Sequence, residues 1–124
     1  MKPENKFKKK ILTKLTAHTT PMELYLKRGV PDIYGFYDNG RCFWLEFKCS
    51  KMKKVNISPL QISWNYKHFL HNPINFYLVN DPRRKVIELY DGNKGRELLK
   101  NADEVRAKLT FSPQQYQKLL EVIF

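Results

Sequence analysis

The residues of this chain best suited to chemistry are Asp32, Glu46 and Lys48. Glu46 and Lys48 interrupt an otherwise core-like run, Phe43-Trp44-Leu45-Glu46-Phe47-Lys48-Cys49. Side chains of a strand alternate between faces, so this carboxylate and ammonium project together while Leu45, Phe47 and Cys49 take the other face. If Asp32 reached the same surface, two carboxylates would confront each other. Such a pair repels, so either one carboxyl keeps a proton or a cation lies between them. Mg²⁺, with Mn²⁺ able to substitute, suits the second case: it binds through one or two carboxylates, keeps several waters and attracts substrate phosphate. The neighbouring ammonium would hold a hydroxide nucleophile or stabilise the negative transition state at phosphorus. The chemistry such a set could perform is attack of metal-bound hydroxide at phosphorus.

Whether Asp32 joins the pair depends on one turn. Residues Pro31–Tyr37 and Arg41–Cys49 read as strands joined across Asp38-Asn39-Gly40. A two-residue Asn39-Gly40 turn pairs Asp38 with Arg41 and sets Asp32 opposite Phe47, on the wrong face. A three-residue loop with Gly40 in the left-handed conformation pairs Tyr37 with Arg41 and sets Asp32 opposite Glu46. Both turns accept Asn-Gly, and one residue of register separates them. In the plainer account, Glu46 and Lys48 lie on a solvated sheet face and Asp32 is a turn residue.

The rest of the chain reads as the frame for this hairpin. With 124 residues, 42% hydrophobic and 14% aromatic, it suits one folded domain rather than a disordered chain. A helix is expected over residues 3–16, with Phe7, Ile11, Leu12 and Leu15 on its apolar side, ended by Thr19-Thr20-Pro21. Met22 to Leu26 reads as a short strand and Lys51 to Lys54 as a basic loop. Ser58-Pro59-Leu60-Gln61 combines a Ser cap, a Pro at the first helical position and a capping-box Gln, opening a helix to about His71. Strands follow at Ile74–Val79 and Lys85–Tyr90, then a short helix at Asn101–Ala107. Ser112-Pro113-Gln114-Gln115 repeats the cap and opens a C-terminal helix with Tyr116, Leu119, Leu120 and Ile123 on its apolar side. The fold class expected is α/β: a mixed sheet, an antiparallel meander plus further strands, flanked by helices. The whole chain forms one domain, with its core to about residue 91 and a helical tail over about 95–124.

A net charge of +11 favours a polyanionic partner, nucleic acid foremost, through counterion release from phosphates. No apolar run approaches the roughly 20 residues of a membrane span, and the Lys-rich N-terminus has no signal-peptide core. A cytoplasmic, soluble protein with no membrane partner is expected. Cys42 and Cys49, an odd number of positions apart on one strand, should point to opposite faces, sharing neither a disulfide nor a metal.

Pro31-Asp32 followed across a hairpin by Glu46-Phe47-Lys48 resembles the PD-(D/E)XK nuclease superfamily. In more detail the chain is similar to the small stand-alone VRR-NUC-type nucleases common in phages. The likeness runs through Pro3-Glu4, Arg28-Gly29-Val30-Pro31-Asp32, Glu46-Phe47-Lys48 and Ser58-Pro59-Leu60-Gln61, about the first two-thirds of the chain. It implies a restriction-endonuclease-like core. It also implies Asp32 and Glu46 as metal ligands, the backbone carbonyl of Phe47 as a third, and Lys48 as catalytic base. Glu4 would lean towards the metal from the first helix, and Gln61 would support the site. Two simpler roles stand beside these: Glu4 as a first-turn acid facing the helix dipole, and Gln61 as a capping-box residue. His71-Asn72-Pro73 takes the place of the family's frequent glycine-rich aliphatic stretch, and the segment after Asp91 carries no likeness.

The expected function is a Mg²⁺-dependent DNA endonuclease. Without a separate sequence-reading module, it should recognise branched, flapped or nicked shapes. A Holliday-junction resolvase is the special case that needs a homodimer. The alternatives are a non-catalytic nucleic-acid-binding domain and a metal-dependent RNase. If phage-encoded, the protein acts in the host cytoplasm. Arg28, Lys51, Lys53 and Lys54 are the favoured phosphate contacts, with Lys8, Lys9, Lys10 and Lys14 on helix one, where a solvated face is the simpler role. His18, His68 and His71 show no ligand spacing, and Trp64, Tyr66 and Phe69 suit a core or a dimer surface.

Overall fold

The computed structural model describes residues 2–15, 17–22, 29–51 and 54–119. The alternation of Phe43, Leu45 and Phe47 makes one face of strand β3 (Cys42–Lys51), and all three are buried. On one side β3 pairs antiparallel with β2 (Ile33–Phe36); on the other it pairs parallel with β5 (Asn75–Asp81). Outward from these, β1 (His18–Pro21) pairs with β2, β6 (Val86–Asp91) with β5, and β7 (Leu109–Phe111) with β6, all antiparallel. β4 (Lys54–Val55) folds back onto the end of β3. The fold is therefore α/β: a mixed sheet, seven-stranded among the described residues, in the order β1-β2-β3-β5-β6-β7, with β4 beside β3 and helices flanking it.

Each sheet face has its own apolar cluster. Helix α1 (Pro3–Leu12) buries Phe7 and Ile11 against Ile33, Leu45, Phe47, Leu78 and Leu89, with the Phe7 ring edge-on to Phe47 at 5.7 Å. On the opposite face Val55, Ile57, Tyr77, Val79 and Tyr90 meet Ile62 of helix α2 (Pro59–His71) and Leu98 of helix α3 (Gly95–Asn101). A parallel strand pair requires a crossover, and α2 supplies it between β3 and β5. Its start follows the sequence signal: Ser58 Oγ accepts the Gln61 N–H, the Gln61 side chain accepts the Ser58 N–H, and Pro59 is the first helical residue.

Several element expectations are corrected. Helix one stops at Leu12, where the Thr13 Oγ1 bonds the Lys10 carbonyl, although Leu15 still packs on the core. Thr19-Thr20-Pro21 does not merely end it but forms edge strand β1, where a proline is tolerated. Of the strand expected over Met22–Leu26, all but Met22 lies outside the described residues. The basic Lys51–Lys54 loop is a hairpin, since Lys51 ends β3 and Lys54 begins β4 directly opposite it. The helix expected at Asn101–Ala107 lies earlier, as α3, followed by a short 3₁₀ turn at Ala102–Glu104. Gly92 and Gly95, helix breakers by propensity, stand at the start of this helical stretch because tertiary packing overrides propensity. The segment after residue 91 is no helical appendage: it contributes β7, and Phe111 and Leu119 enter the main core. Helix residues begin at 117, and 120–124, with Leu120 and Ile123, lie outside the described residues. Among the described residues no helix is long and apolar enough to cross a membrane.

Candidate active site

The loop between β2 and β3 takes the three-residue form. The Tyr37 N–H donates to the Arg41 carbonyl and the Gly40 N–H to the Tyr37 carbonyl, both at 2.9 Å, with Gly40 at φ 86°. The ladder pairs Ile33 with Leu45, Tyr34 with Trp44 and Phe36 with Cys42. One step further, Asp32 lies opposite Glu46. Core packing selects this register: the alternative places Ile33 opposite Glu46 and removes it from the buried face it shares with Leu45 and Phe47.

Asp32 replaces the ladder with a side-chain bond, its Oδ2 accepting the Phe47 N–H at 2.8 Å. Continuing the register, Pro31 stands opposite Phe47. In an antiparallel pair such residues exchange both N–H···O bonds, but proline has no N–H to give. The Phe47 carbonyl, directed to the same side as its N–H, thus receives no ladder donor from Pro31. The Pro-Asp step opens this carbonyl and sets a carboxylate beside it.

Glu46 is 2% exposed and Lys48 7%, so neither belongs to a solvated sheet face. Burial first, then the charge and hydrogen bonding of Asp32, push the Glu46 carboxyl up to about 10; Lys48 acts in the opposite sense and Glu4 adds to the rise. Gln61 joins Glu46 and Lys48. Its Oε1 accepts from Lys48 Nζ at 3.0 Å and from the Ser58 N–H at 3.1 Å, and its Nε2 donates to Glu46 Oε1 at 3.3 Å. The capping bond and the bonds to Glu46 and Lys48 come from one side chain.

Two features that hold α2 in place were not expected. Gly29 has φ 91°, and a Cβ there would meet the Leu60 carbonyl oxygen at 2.4 Å, so the chain before Pro31 passes against the first turn of α2. Asn65, the buried residue of α2, donates to the Gln61 carbonyl at 2.9 Å, while buried Asn75 Nδ2 donates to the Asn65 carbonyl and Oδ1 at 2.8 and 3.0 Å. The Tyr77 hydroxyl also donates to the Gln61 carbonyl, at 3.4 Å. These bonds lock the Gln61 backbone to β5. The signals were an Asn amid an amphipathic helix and another beginning an apolar strand.

Glu4 and Lys8 flank the buried side of α1, whereas Lys9 lies on its exposed side. Lys51 and Lys54 are exposed on the β3–β4 hairpin, which leaves the site three residues after Lys48. Arg28 and Lys53 lie outside the described residues. Trp64 and Phe69 are half-buried, but Tyr66 is 50% exposed, so the core role expected for it is corrected. Cys42 and Cys49 are free. Among the described residues no three His, Cys, Asp or Glu side chains gather as metal ligands. The set at hand is smaller, Asp32 and Glu46 with the Phe47 carbonyl. It fits a hard divalent cation that keeps waters, because the crowding of the two carboxyls that holds a proton on Glu46 would be relieved equally by a cation between them. No protein-family model, curated protein or solved structure matches the chain.

Proposed function

We propose that this protein is a Mg²⁺-dependent DNA endonuclease of the PD-(D/E)XK type, acting on branched, flapped or nicked DNA. The observation that carries the reading is the convergence of Asp32 and Glu46 at one register position, with Lys48 and Gln61 on the same face. A cation held by Asp32, Glu46 and the Phe47 carbonyl would polarise the phosphate and acidify its bound water. Lys48 supplies the positive charge beside the attacked phosphorus and a group able to hold the nucleophile's proton. Gln61 keeps that ammonium and the Glu46 carboxyl in fixed relation. A four-way junction as substrate would call for a homodimer, two sites facing symmetric strands. Free thiols suit a cytoplasmic setting.

The test is incubation with junction, flap, duplex and single-stranded DNA, and with RNA, in Mg²⁺ and in EDTA. Cleavage of a branched or flapped DNA that needs the metal, with Lys48→Met slower by roughly 100-fold, is the expected result. One observation favours a second reading, a non-catalytic nucleic-acid-binding domain: Asp32 already serves a structural bond to Phe47. Asp32→Asn keeps an acceptor for that N–H while removing the ligand charge. If Asp32→Asn cuts as the parent does, or if nothing is cut under Mg²⁺ or Mn²⁺, the nuclease reading fails.

A further inference from the structure

Beside the carboxylates lies a set of aromatic rings that the hydrolytic chemistry does not use. Trp44 shares the face of Glu46 and stands two residues, about 6.6 Å, along the same strand. Tyr34 pairs directly with it across the ladder, ring centroids 4.9 Å apart. Trp64, one turn beyond Gln61 on α2, meets Trp44 edge-on at 5.2 Å and stacks on His68 at 4.7 Å with 14° between the planes. The Asp32–Glu46 pair and the Tyr34–Trp44 pair are thus consecutive same-face rungs of one hairpin, and α2 lays Gln61 over the first and Trp64 over the second. All four rings are partly exposed, whereas Tyr77 and Tyr90 are fully buried.

We propose that these rings form a stacking platform for an unpaired base next to the cleaved phosphate, which makes DNA with unpaired nucleotides at the cut the substrate class. The inference rests on reading the carboxylate site as a nuclease centre. Aromatic side chains bind bases through their π-faces whatever the base, and they combine with cationic surfaces that follow the backbone. The +11 charge supplies the second part. In a continuous duplex each base face is covered by its neighbours, so only a splayed, flapped or single-stranded nucleotide can offer one to Trp44 or Trp64. The platform therefore selects against intact duplex without reading sequence.

Both tryptophans of the chain belong to the platform, so intrinsic fluorescence reports on it directly. The full chain in EDTA, where cleavage does not intervene, is titrated at fixed salt with oligo(dT) and with a blunt duplex of equal length. Oligo(dT) should quench the emission and the duplex should not. Trp64→Leu should weaken oligo(dT) about tenfold, leaving duplex affinity within about twofold. Tyr34→Leu, on the β2 side, serves the same purpose if Trp64→Leu fails to fold by circular dichroism. Equal quenching by both nucleic acids, unchanged oligo(dT) affinity in a folded variant, or quenching that follows protein concentration alone overturns the platform. Metal-dependent cutting without a preference for unpaired strands also sinks the platform and leaves the nuclease. A preference for oligo(dT) with no cutting of any substrate supports the platform and sinks the nuclease.

Discussion

At Glu46, burial and the Asp32 carboxylate act in one direction and Lys48 in the other. The folded protein without metal consequently keeps a proton that the unfolded chain releases above the usual carboxylate range. Stability from this group is complete below about pH 4.5 and declines as pH rises towards about 10. In EDTA, the unfolding free energy should fall between pH 5 and pH 9 by up to about 1.4 kcal/mol per pH unit, the slope of one proton, and the melting temperature should fall with it. Glu46→Gln should be flatter across that range and more stable than the parent at its upper end. Mg²⁺ should recover the parent at high pH, since a ligand of the folded form stabilises it by mass action. Parallel melting curves for parent and variant across pH would show that Glu46 does not carry the proton.

Among the elements, the hairpin and the start of α2 set the site, and two glycines separate their contributions. Gly40 has φ 86° but a Cβ there would touch nothing within 4 Å, whereas Gly29 combines φ 91° with a backbone obstruction at the Leu60 carbonyl. Gly40→Ala should lose about 1 kcal/mol by urea unfolding and cut normally. Gly29→Ala should lose more than about 2 kcal/mol, and cleavage with it, because α2 must shift and carries Gln61 away. Equal losses for the two would refute the close approach of Gly29 to α2. Pro31→Ala restores the N–H that a ladder partner of Phe47 would have. The expected result is a several-fold higher Mg²⁺ concentration for half-maximal cleavage, with circular dichroism unchanged. An unaltered Mg²⁺ dependence would mean that the Phe47 carbonyl takes no part.

Over the whole molecule, the segment after residue 91 closes the sheet through β7 and sends Phe111 and Leu119 into the core shared by α1. The α2 helix turns Leu60, Tyr66 and Leu70 outward, 51%, 50% and 63% exposed, where a homodimer surface would be sought. The positive charge meets itself at the β3–β4 hairpin, where Lys51 and Lys54 pair directly. Like charges so placed are destabilising alone and favourable against a phosphate. Replacing both by Ala should reduce the slope of log affinity against log salt by about two on any duplex. A slope that stays put would exclude this hairpin from the proposed contact with DNA.

Much of this was legible because it is written in neighbouring residues. Alternation of Phe43, Leu45 and Phe47 declares a strand, and with Glu46 and Lys48 between them it declares a shared polar face. Ser58-Pro59-Leu60-Gln61 declares a helix start by its own hydrogen-bonding groups. Short strands β1, β4 and β7 offer too few residues for alternation to register, and propensity at Gly92 and Gly95 pointed against α3. The decisive contacts lay between segments far apart in the chain. The Asn-Gly turn permitted two registers, and burial of Ile33 with Leu45 chose the one in which Asp32 faces Glu46. The proton on Glu46, the three bonds of Gln61 and the Trp44–Trp64 contact likewise need the sheet and α2 together. The sequence alone determined which residues could do the chemistry and which face of β3 they share, because strand periodicity is local. Only the tertiary structure decided that they meet and in what charge state, because burial and the field of a neighbouring carboxylate arise when distant segments pack.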